Sequence, residues 1–315
     1  MKNDLVVKDN VLINASYNLE VTEQRLILLS IIRARETGQG ISADSKLEIH
    51  ASDYASRFNV TKEAAYSALK NAVNNLFERK FSFKENRNDT NKEIVVKSRW
   101  VSRIAYIDDL AKLEVTFAPD VVPLITRLEK HFTSYQLKQV SQLTSKYAIR
   151  LYEFLIAWRE IGKTPVISLS DFRDTLGLEI NEYQKMINFK NRVLEPAIKQ
   201  INESTDINVK YEQYKTGRAI SGLSFTFKQK ETSSRKDQST IDLLSKLSDS
   251  QRYLFAEKLS ALPEMNKYSQ GTESYQQFAV RIAEMLQDPK RLKELFPYLR
   301  KVGYISSNKK DTVNG

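Results

Sequence analysis

The sequence predicts an α+β protein: two tandem winged-helix (winged helix-turn-helix) domains followed by a helical C-terminal tail. Three observations point there. The succession helix, short strand, short helix, long helix, hairpin occurs twice, at a separation that suits a domain repeat rather than a short-period solenoid. Each long helix is followed by paired runs in which apolar and polar residues alternate. Past residue 230 the chain turns polar, and apolar residues then return at helical spacing. Short helix, turn, longer helix and hairpin together make a winged helix-turn-helix. The expected division is 1–128 and 129–230 for the two winged helices, 231–240 for a linker and 241–315 for the tail.

The chain's composition limits the chemistry. Of 315 residues, 49 are Lys or Arg and 39 are Asp or Glu, a formal net charge of +10. That balance suits a polyanionic partner, with nucleic acid first among them. There are no cysteines, so disulfides, thiolate metal sites and a Cys nucleophile are excluded. The two histidines, His50 and His131, read as structural or surface groups, and neither a metal nor a cofactor is expected. No apolar run reaches the roughly 18 residues of a membrane span. The N-terminus lacks a signal-peptide core, so the expectation is a soluble cytoplasmic protein with no membrane partner.

In the first unit, residues 21–35 form a mostly buried helix with Thr22 as N-cap and Gly38 beyond its end. Leu47, Glu48, Ile49 and His50 alternate as a short strand. Ser52 caps a short helix over 53–58, and Asn59 and Val60 make the turn. Thr61 then caps a long helix over about 62–79, whose apolar stripe is Ala64, Ala65, Ala68, Leu69, Ala72, Val73, Leu76 and Phe77. Its polar side carries Lys62, Tyr66, Ser67, Lys70 and Asn71. A hairpin follows, with Phe81 and Phe83 leading into a turn at 86–89 and Ile94 and Val96 leading out. Leu113, Val115 and Phe117 form a further strand.

The second unit opens with a helix marked by Leu143, Tyr147, Leu151, Leu155 and Trp158, then a short strand over 166–169. Ser170 is the expected N-cap of a short helix that Gly177 stops. The long helix runs from about Phe189, with Asn188 as N-cap. Phe189, Val193, Leu194, Ala197, Ile198 and Ile201 lie on one side, and Asn191, Arg192, Glu195, Lys199 and Asn202 on the other. Pro196 costs about 3 kcal/mol in a helix interior, so the helix either starts later or bends there. Ile207, Val209 and Tyr211, then Leu223, Phe225 and Phe227, form a hairpin joined through Lys215-Thr216-Gly217-Arg218. In the tail, Ile241 to Leu247, Tyr253 to Leu259, 276–285 and 291–299 read as helices. They suit a small module, and equally helices that order only against a partner; residues 308–315 read as a frayed end.

Recognition helices present their N-terminal residues to base edges. Asn191 is the candidate for adenine N6 and N7, and Arg192 for guanine O6 and N7. Lys185 and Lys190 lie where this helix begins, within reach of phosphate or base. Lys62, Tyr66, Ser67, Lys70 and Asn71 are the corresponding face in the first unit. Arg87 and Lys92 in one hairpin, and Lys210, Lys215 and Arg218 in the other, are candidate phosphate contacts from the wings. One polar stripe with a few lysines is an ordinary solvated helix face. Two such helices, each with a basic hairpin behind it in a basic chain, favour DNA.

Three stretches resemble a known family. They are Leu143-Thr144-Ser145-Lys146-Tyr147-Ala148-Ile149-Arg150-Leu151-Tyr152-Glu153-Phe154-Leu155; Asp171-Phe172-Arg173 and Leu176-Gly177 with Tyr183, Met186, Phe189 and Arg192-Val193-Leu194-Glu195-Pro196-Ala197; and Ile201-Asn202 with Phe225-Thr226-Phe227. Together they resemble the iteron-binding initiator (Rep) proteins of theta-replicating bacterial plasmids, the RepB/RepE-like initiator superfamily, over about residues 5–230. The resemblance implies that monomers bind direct repeats (iterons) in double-stranded origin DNA and start plasmid replication. It implies that dimers in equilibrium with them, paired largely through the first domain, bind an operator inverted repeat and repress the protein's own promoter. Host replication initiator and helicase components are implied partners. The family's base-reading positions fall on Lys185, Asn191 and Arg192. Relatives often carry arginine where Asn191 stands, which implies a different iteron sequence.

No enzyme is expected. A rolling-circle nickase needs paired histidines for a metal and a tyrosine nucleophile, and His50 and His131 stand far apart in the chain. No glycine-rich phosphate loop is present. A dedicated winged-helix repressor is the nearest rival, and an adaptor whose tail holds a host protein is a third reading.

Overall fold

Strand β1 (Leu5–Asp9) and helix α1 (Asn10–Asn14) begin the computed structural model, which describes residues 4–42, 44–87, 92–126, 132–230, 249–270 and 273–302. The chain divides into two units, Met1–Glu231 and Thr232–Gly315. The expected turn at 88–89, His131, the linker 231–240, the helix at 241–247 and the end at 308–315 lie outside the described residues.

After β2 (Ser16–Tyr17) comes α2 (Val21–Thr37), buried along most of its length. Its N-cap is Glu20, not Thr22. The Glu20 amide donates to the Glu23 carboxylate at 2.8 Å, and the Glu20 carboxylate takes the third-position amide in return. Such a reciprocal box satisfies two helix-start donors at once, and Arg79 Nε anchors it by bonding the same Glu23 oxygen at 2.8 Å. Strand β3 (Leu47–His50) leads straight into α3 (Ala51–Phe58). Ser52 is therefore inside this helix and His50 is its N-cap. The Ala51 amide already donates to Ala111 O at 2.9 Å, so the chain turns two residues sooner than expected.

Thr61 does cap α4 (Lys62–Glu78): its hydroxyl accepts from the Ala64 amide at 3.2 Å. Ala65, Leu69, Ala72 and Leu76 are buried, whereas Ala64 and Phe77 are exposed. The hairpin of β4 (Lys80–Arg87) and β5 (Lys92–Arg99) is joined through β4 to β2. A second sheet has β7 (Lys112–Phe117) between β3 and β6 (Val101–Ile107), and β6 was not expected as a strand. After α5 (Val121–Thr126), strand β8 (Phe132–Gln136) returns to pair antiparallel with β1.

Next come α6 (Lys138–Ser141) and α7 (Lys146–Ile156), the latter capped by Ser145. Strand β9 (Ile167–Ser168) precedes α8 (Leu169–Thr175). Ser168, not Ser170, caps α8. Pairing of β9 with the hairpin ends there, and the Ser168 hydroxyl accepts from the Asp171 amide at 3.0 Å. The long helix comes in three pieces: α9 (Met186–Phe189), a π-helical turn Lys190–Leu194 and α10 (Glu195–Ser204). Strands β10 (Ile207–Thr216) and β11 (Ala219–Gln229) form the wing, and β11 also holds β9.

A fully buried polar cluster joins the two winged helices. Glu153 of α7 takes Lys8 Nζ at 2.6 Å, the Tyr135 hydroxyl, Tyr17 OH at 3.3 Å and Arg150 at 3.2 Å. Arg150 also bonds Tyr17 OH and the carbonyls of Ile13 (3.0 Å), Ala15 (2.8 Å) and Thr175 (2.8 Å). Burial pushes the Glu153 carboxyl up, but Lys8 and Arg150 outweigh it and hold it below its ordinary value. Burial holds Lys8 below its ordinary value, outweighing the raising effect of Glu153 beside it. Gly177 completes the joint: its φ is +73°, and a β-carbon there would stand 1.9 Å from Tyr17 O.

The second unit contains α11 (Asp249–Ser260), a 3-10 turn (Pro263–Tyr268), α12 (Tyr275–Met285) and α13 (Pro289–Lys301). Phe255, Leu259, Met265, Phe278, Ile282, Leu292, Leu295 and Leu299 are buried. The expected helical tail is thus a module with its own apolar centre. Within it Arg281 grips Glu273 (Nε to Oε2, 3.0 Å) and ties the loop before α12 to that helix.

Candidate nucleic-acid interface

The turn before α9 determines what that helix presents. Gly177 in the left-handed region ends α8, and Tyr183 also has positive φ (+44°). Arg173 braces the turn. Its guanidinium donates to the carbonyls of Glu182 and, at 3.1 Å, Tyr183, and lies 5.3 Å from the Phe189 ring centre. Lys185 is then the N-cap residue, its carbonyl accepting from the Asn188 amide at 2.9 Å and the Phe189 amide at 3.0 Å. Asn188 therefore lies inside the helix and is not its cap, because the braced turn delivers the chain into helical geometry three residues early.

Pro196 explains the π turn. In an α-helix its missing N–H would have bonded Arg192 O, and its ring would press on that carbonyl. The Glu195 amide instead reaches back to Lys190 O, an i to i−5 bond that widens the turn. The helix starts earlier than residue 189 and takes its irregularity upstream of the proline. Phe189, Val193, Leu194, Ala197, Ile198 and Ile201 remain buried. The exposed strip is Lys185, Ile187, Asn188, Asn191, Arg192, Glu195 and Lys199.

Of the expected base-reading set, Lys185, Asn191 and Arg192 are exposed together on this strip. Lys190 is half-buried, with Nζ 6.0 Å from the Tyr211 ring centre of the wing. Two residues on the polar side serve as tethers instead. Asn202 bonds the Val209 backbone in both directions, at 2.6 and 3.0 Å, and Glu195 accepts from the Tyr211 hydroxyl. They lock α10 to β10, so helix and wing act as one surface. Lys210, Lys215 and Arg218 are all exposed on that wing, with Gly217 (φ +62°) at its tip.

In the first winged helix, Lys62, Tyr66, Ser67, Lys70 and Asn71 are all exposed on α4, but they divide. Ser67 and Asn71 line a shallow groove with Glu20, Thr22 and Glu23 at the start of α2, where Glu20 pairs with Lys146 and Glu23 with Arg79, each at 2.8 Å. Lys70 pairs with Asp108 at 3.3 Å. Lys62 and Tyr66 lie outside that groove. Lys92 is exposed on β5, and the side chain of Arg87 lies outside the described residues. The bracing by Arg173, the close approach of Gly177 to Tyr17 and the exposure of Ile187 were not legible in the sequence, because nothing near these residues in the chain shows their partners.

Among the described residues no group of three or more His, Asp or Glu could hold a metal ion, and no helix is long and apolar enough to cross a membrane. The fold is that of a tandem winged-helix protein. The family described as initiator replication protein, WH1, matches residues 5–156, and the initiator Rep protein WH2 description matches residues 168–227. A replication initiation protein of Escherichia coli is 30% identical over 226 residues, which span 70% of this chain and 68% of that one. The chain therefore belongs to the plasmid replication initiator (Rep) family. Among solved structures, the Pi initiator protein in complex with iteron DNA matches 74% of this chain and 100% of its own, at 23% identity and a TM-score of 0.56. The WH1 domain of MSBI1.176, a replication protein isolated from a multiple sclerosis patient, is 59% identical over 39% of this chain and 92% of its own, with a TM-score of 0.33.

Proposed function

We propose that the protein starts plasmid replication by binding direct repeats (iterons) at the origin as a monomer, and that as a dimer it binds an inverted repeat and represses its own promoter. Lys185, Asn191 and Arg192 read bases, Lys190 supports them, and Lys210, Lys215 and Arg218 hold phosphates. The observation that carries this is the exposed strip of α9 and the π turn, tethered to an exposed basic wing, in a chain of the Rep family. The structurally similar Pi initiator is itself described in complex with iteron DNA. Lys62 and Tyr66, with Lys70, Ser67, Asn71, Arg87 and Lys92 around them, give the first domain a weaker, backbone-directed contact. Residues 1–128 and 129–230 are the two working domains, and the protein acts in the cytoplasm.

Pairing through the first domain is supported by β5. It is the outer strand of the sheet β2-β4-β5, and Ile94 and Val95 on it are 37% and 62% exposed. An outer strand with free backbone groups and apolar side chains invites a second strand. Host initiator and helicase components are the remaining partners in this reading. Footprinting the full chain on DNA flanking its own reading frame, at several salt concentrations, tests it. Evenly spaced protection over direct repeats with steep salt dependence is expected. Protection of one inverted repeat alone indicates a dedicated repressor, and no protection anywhere refutes DNA reading.

A further inference from the structure

Ile187 lies in α9 and is 61% exposed. It shares its exposed strip with Lys185, Asn188, Asn191 and Arg192, all polar or charged. Its neighbours Met186 and Phe189 turn inward and supply the helix's apolar contacts, so Ile187 contributes little to the fold. Ile180 is more exposed, at 85%, but belongs to the turn before α9 and not to this strip.

An isoleucine has nothing to offer a phosphate or a sugar hydroxyl. The one apolar group that base pairs display in the major groove is the thymine 5-methyl. We propose that Ile187 is a specificity-determining residue that reads a thymine by packing on its 5-methyl group. The inference rests on the reading of this helix as the one that enters the groove. Two features suit the role. A β-branched side chain in a helix keeps essentially one χ1 rotamer, so little side-chain freedom is lost on contact. The backbone under it is held from both sides: Arg173 secures the Glu182 and Tyr183 carbonyls before it and stacks on Phe189 after it. A rigid apolar probe then stands one helical turn from Asn191, which places the thymine close to the base pair that Asn191 meets.

The test uses the full chain and a random duplex library, replicated in one arm with thymidine and in the other with deoxyuridine, which lacks the methyl. The wild-type chain should enrich a sequence with a fixed thymine. On a synthetic duplex of that sequence, uracil at that position should weaken binding about fourfold, the worth of one buried methyl group. Ile187→Ala should bind the thymine duplex more weakly and treat thymine and uracil alike, while Ile187→Val keeps part of the preference. Enrichment of a sequence in which no thymine-to-uracil change matters overturns the proposal. So does an Ile187→Ala chain that discriminates as strongly as wild type. If the wild-type chain enriches nothing, the DNA-reading function itself fails, and that outcome needs no variant to recognise.

Discussion

The long helices of the two winged helices begin in different ways, and the difference bears on what each can do. In the first, α4 starts on its own chemistry: Thr61 caps it, its hydrogen bonding is regular, and its exposed Lys70 is paired with Asp108. In the second, α9 has no side-chain cap. It is set by Arg173 from α8, bent by the π turn that Pro196 forces, and tied to the wing through Glu195 and Asn202. A self-capped helix has its start fixed by its own chemistry, and α4 meets its wing at the other end, where Arg99 of β5 donates to Phe77 O at 2.6 Å. A helix held from three sides costs local regularity, and in return its exposed residues keep fixed positions relative to the wing. Base reading needs such fixed positions, whereas backbone contact tolerates looser ones.

The largest effect is expected where the two halves meet. Removing one partner of a buried charge cluster costs about 3–5 kcal/mol, so Glu153→Ala should lower unfolding free energy by that order in urea titrations. The same carboxyl sets a pH dependence. Its folded value lies below its ordinary 4.5, so its stabilisation is complete above that value and is lost as the pH falls through the lower, folded one. Acid titration of Glu153→Gln should lack that component; an unchanged profile would show that the cluster does not couple the halves. Arg192→Ala should cost about 1–3 kcal/mol on specific DNA and relax preference at one base position. If affinity and preference stay as they are, α9 is not the reading helix.

Smaller effects sharpen the contrast. Thr61→Ala should cost about 1 kcal/mol of stability, the usual worth of an N-cap. Lys185→Ala, at the corresponding position of α9, should leave stability unchanged and weaken DNA binding, since no side-chain cap is lost there. Equal stability losses in the two variants would erase the distinction between the helices. Lys215→Ala should weaken binding to all sequences alike and reduce the slope of log affinity against log salt by about one. A loss confined to one sequence would contradict its place as a phosphate contact.

Much of the fold could be read along the chain. The 3.6-residue stripe of α4, its Thr61 cap, the stop at Gly177 and the alternation of Ile207, Val209, Leu223, Phe225 and Phe227 are local signals, each complete within a few residues. The misread helix starts were all decided by distant groups. Glu20 replaces Thr22 because Arg79 anchors the Glu23 box. His50 replaces Ser52 because Ala51 pairs with Ala111. Asn188 falls inside its helix because Arg173 shapes the turn. Strands β1, β6 and β8 left little trace, since each is defined by a partner far away in sequence. Asn202 looked like part of a solvent face and is a tether to Val209.

The amino-acid sequence by itself determined the repeat of two winged helices, the basic balance, the absence of thiol chemistry and the resemblance to Rep initiators. These follow from residue type and short-range period, which need no fold to be seen. Only the tertiary structure decided which polar residues remain available. It buried Arg150 and Glu153 as the joint between the halves, assigned Asn202 and Glu195 to the wing, and left Lys185, Ile187, Asn191 and Arg192 together on one exposed strip. The physical reason is that a hydrogen bond or an ion pair belongs to two groups, and in this chain the second group often stands more than a hundred residues away.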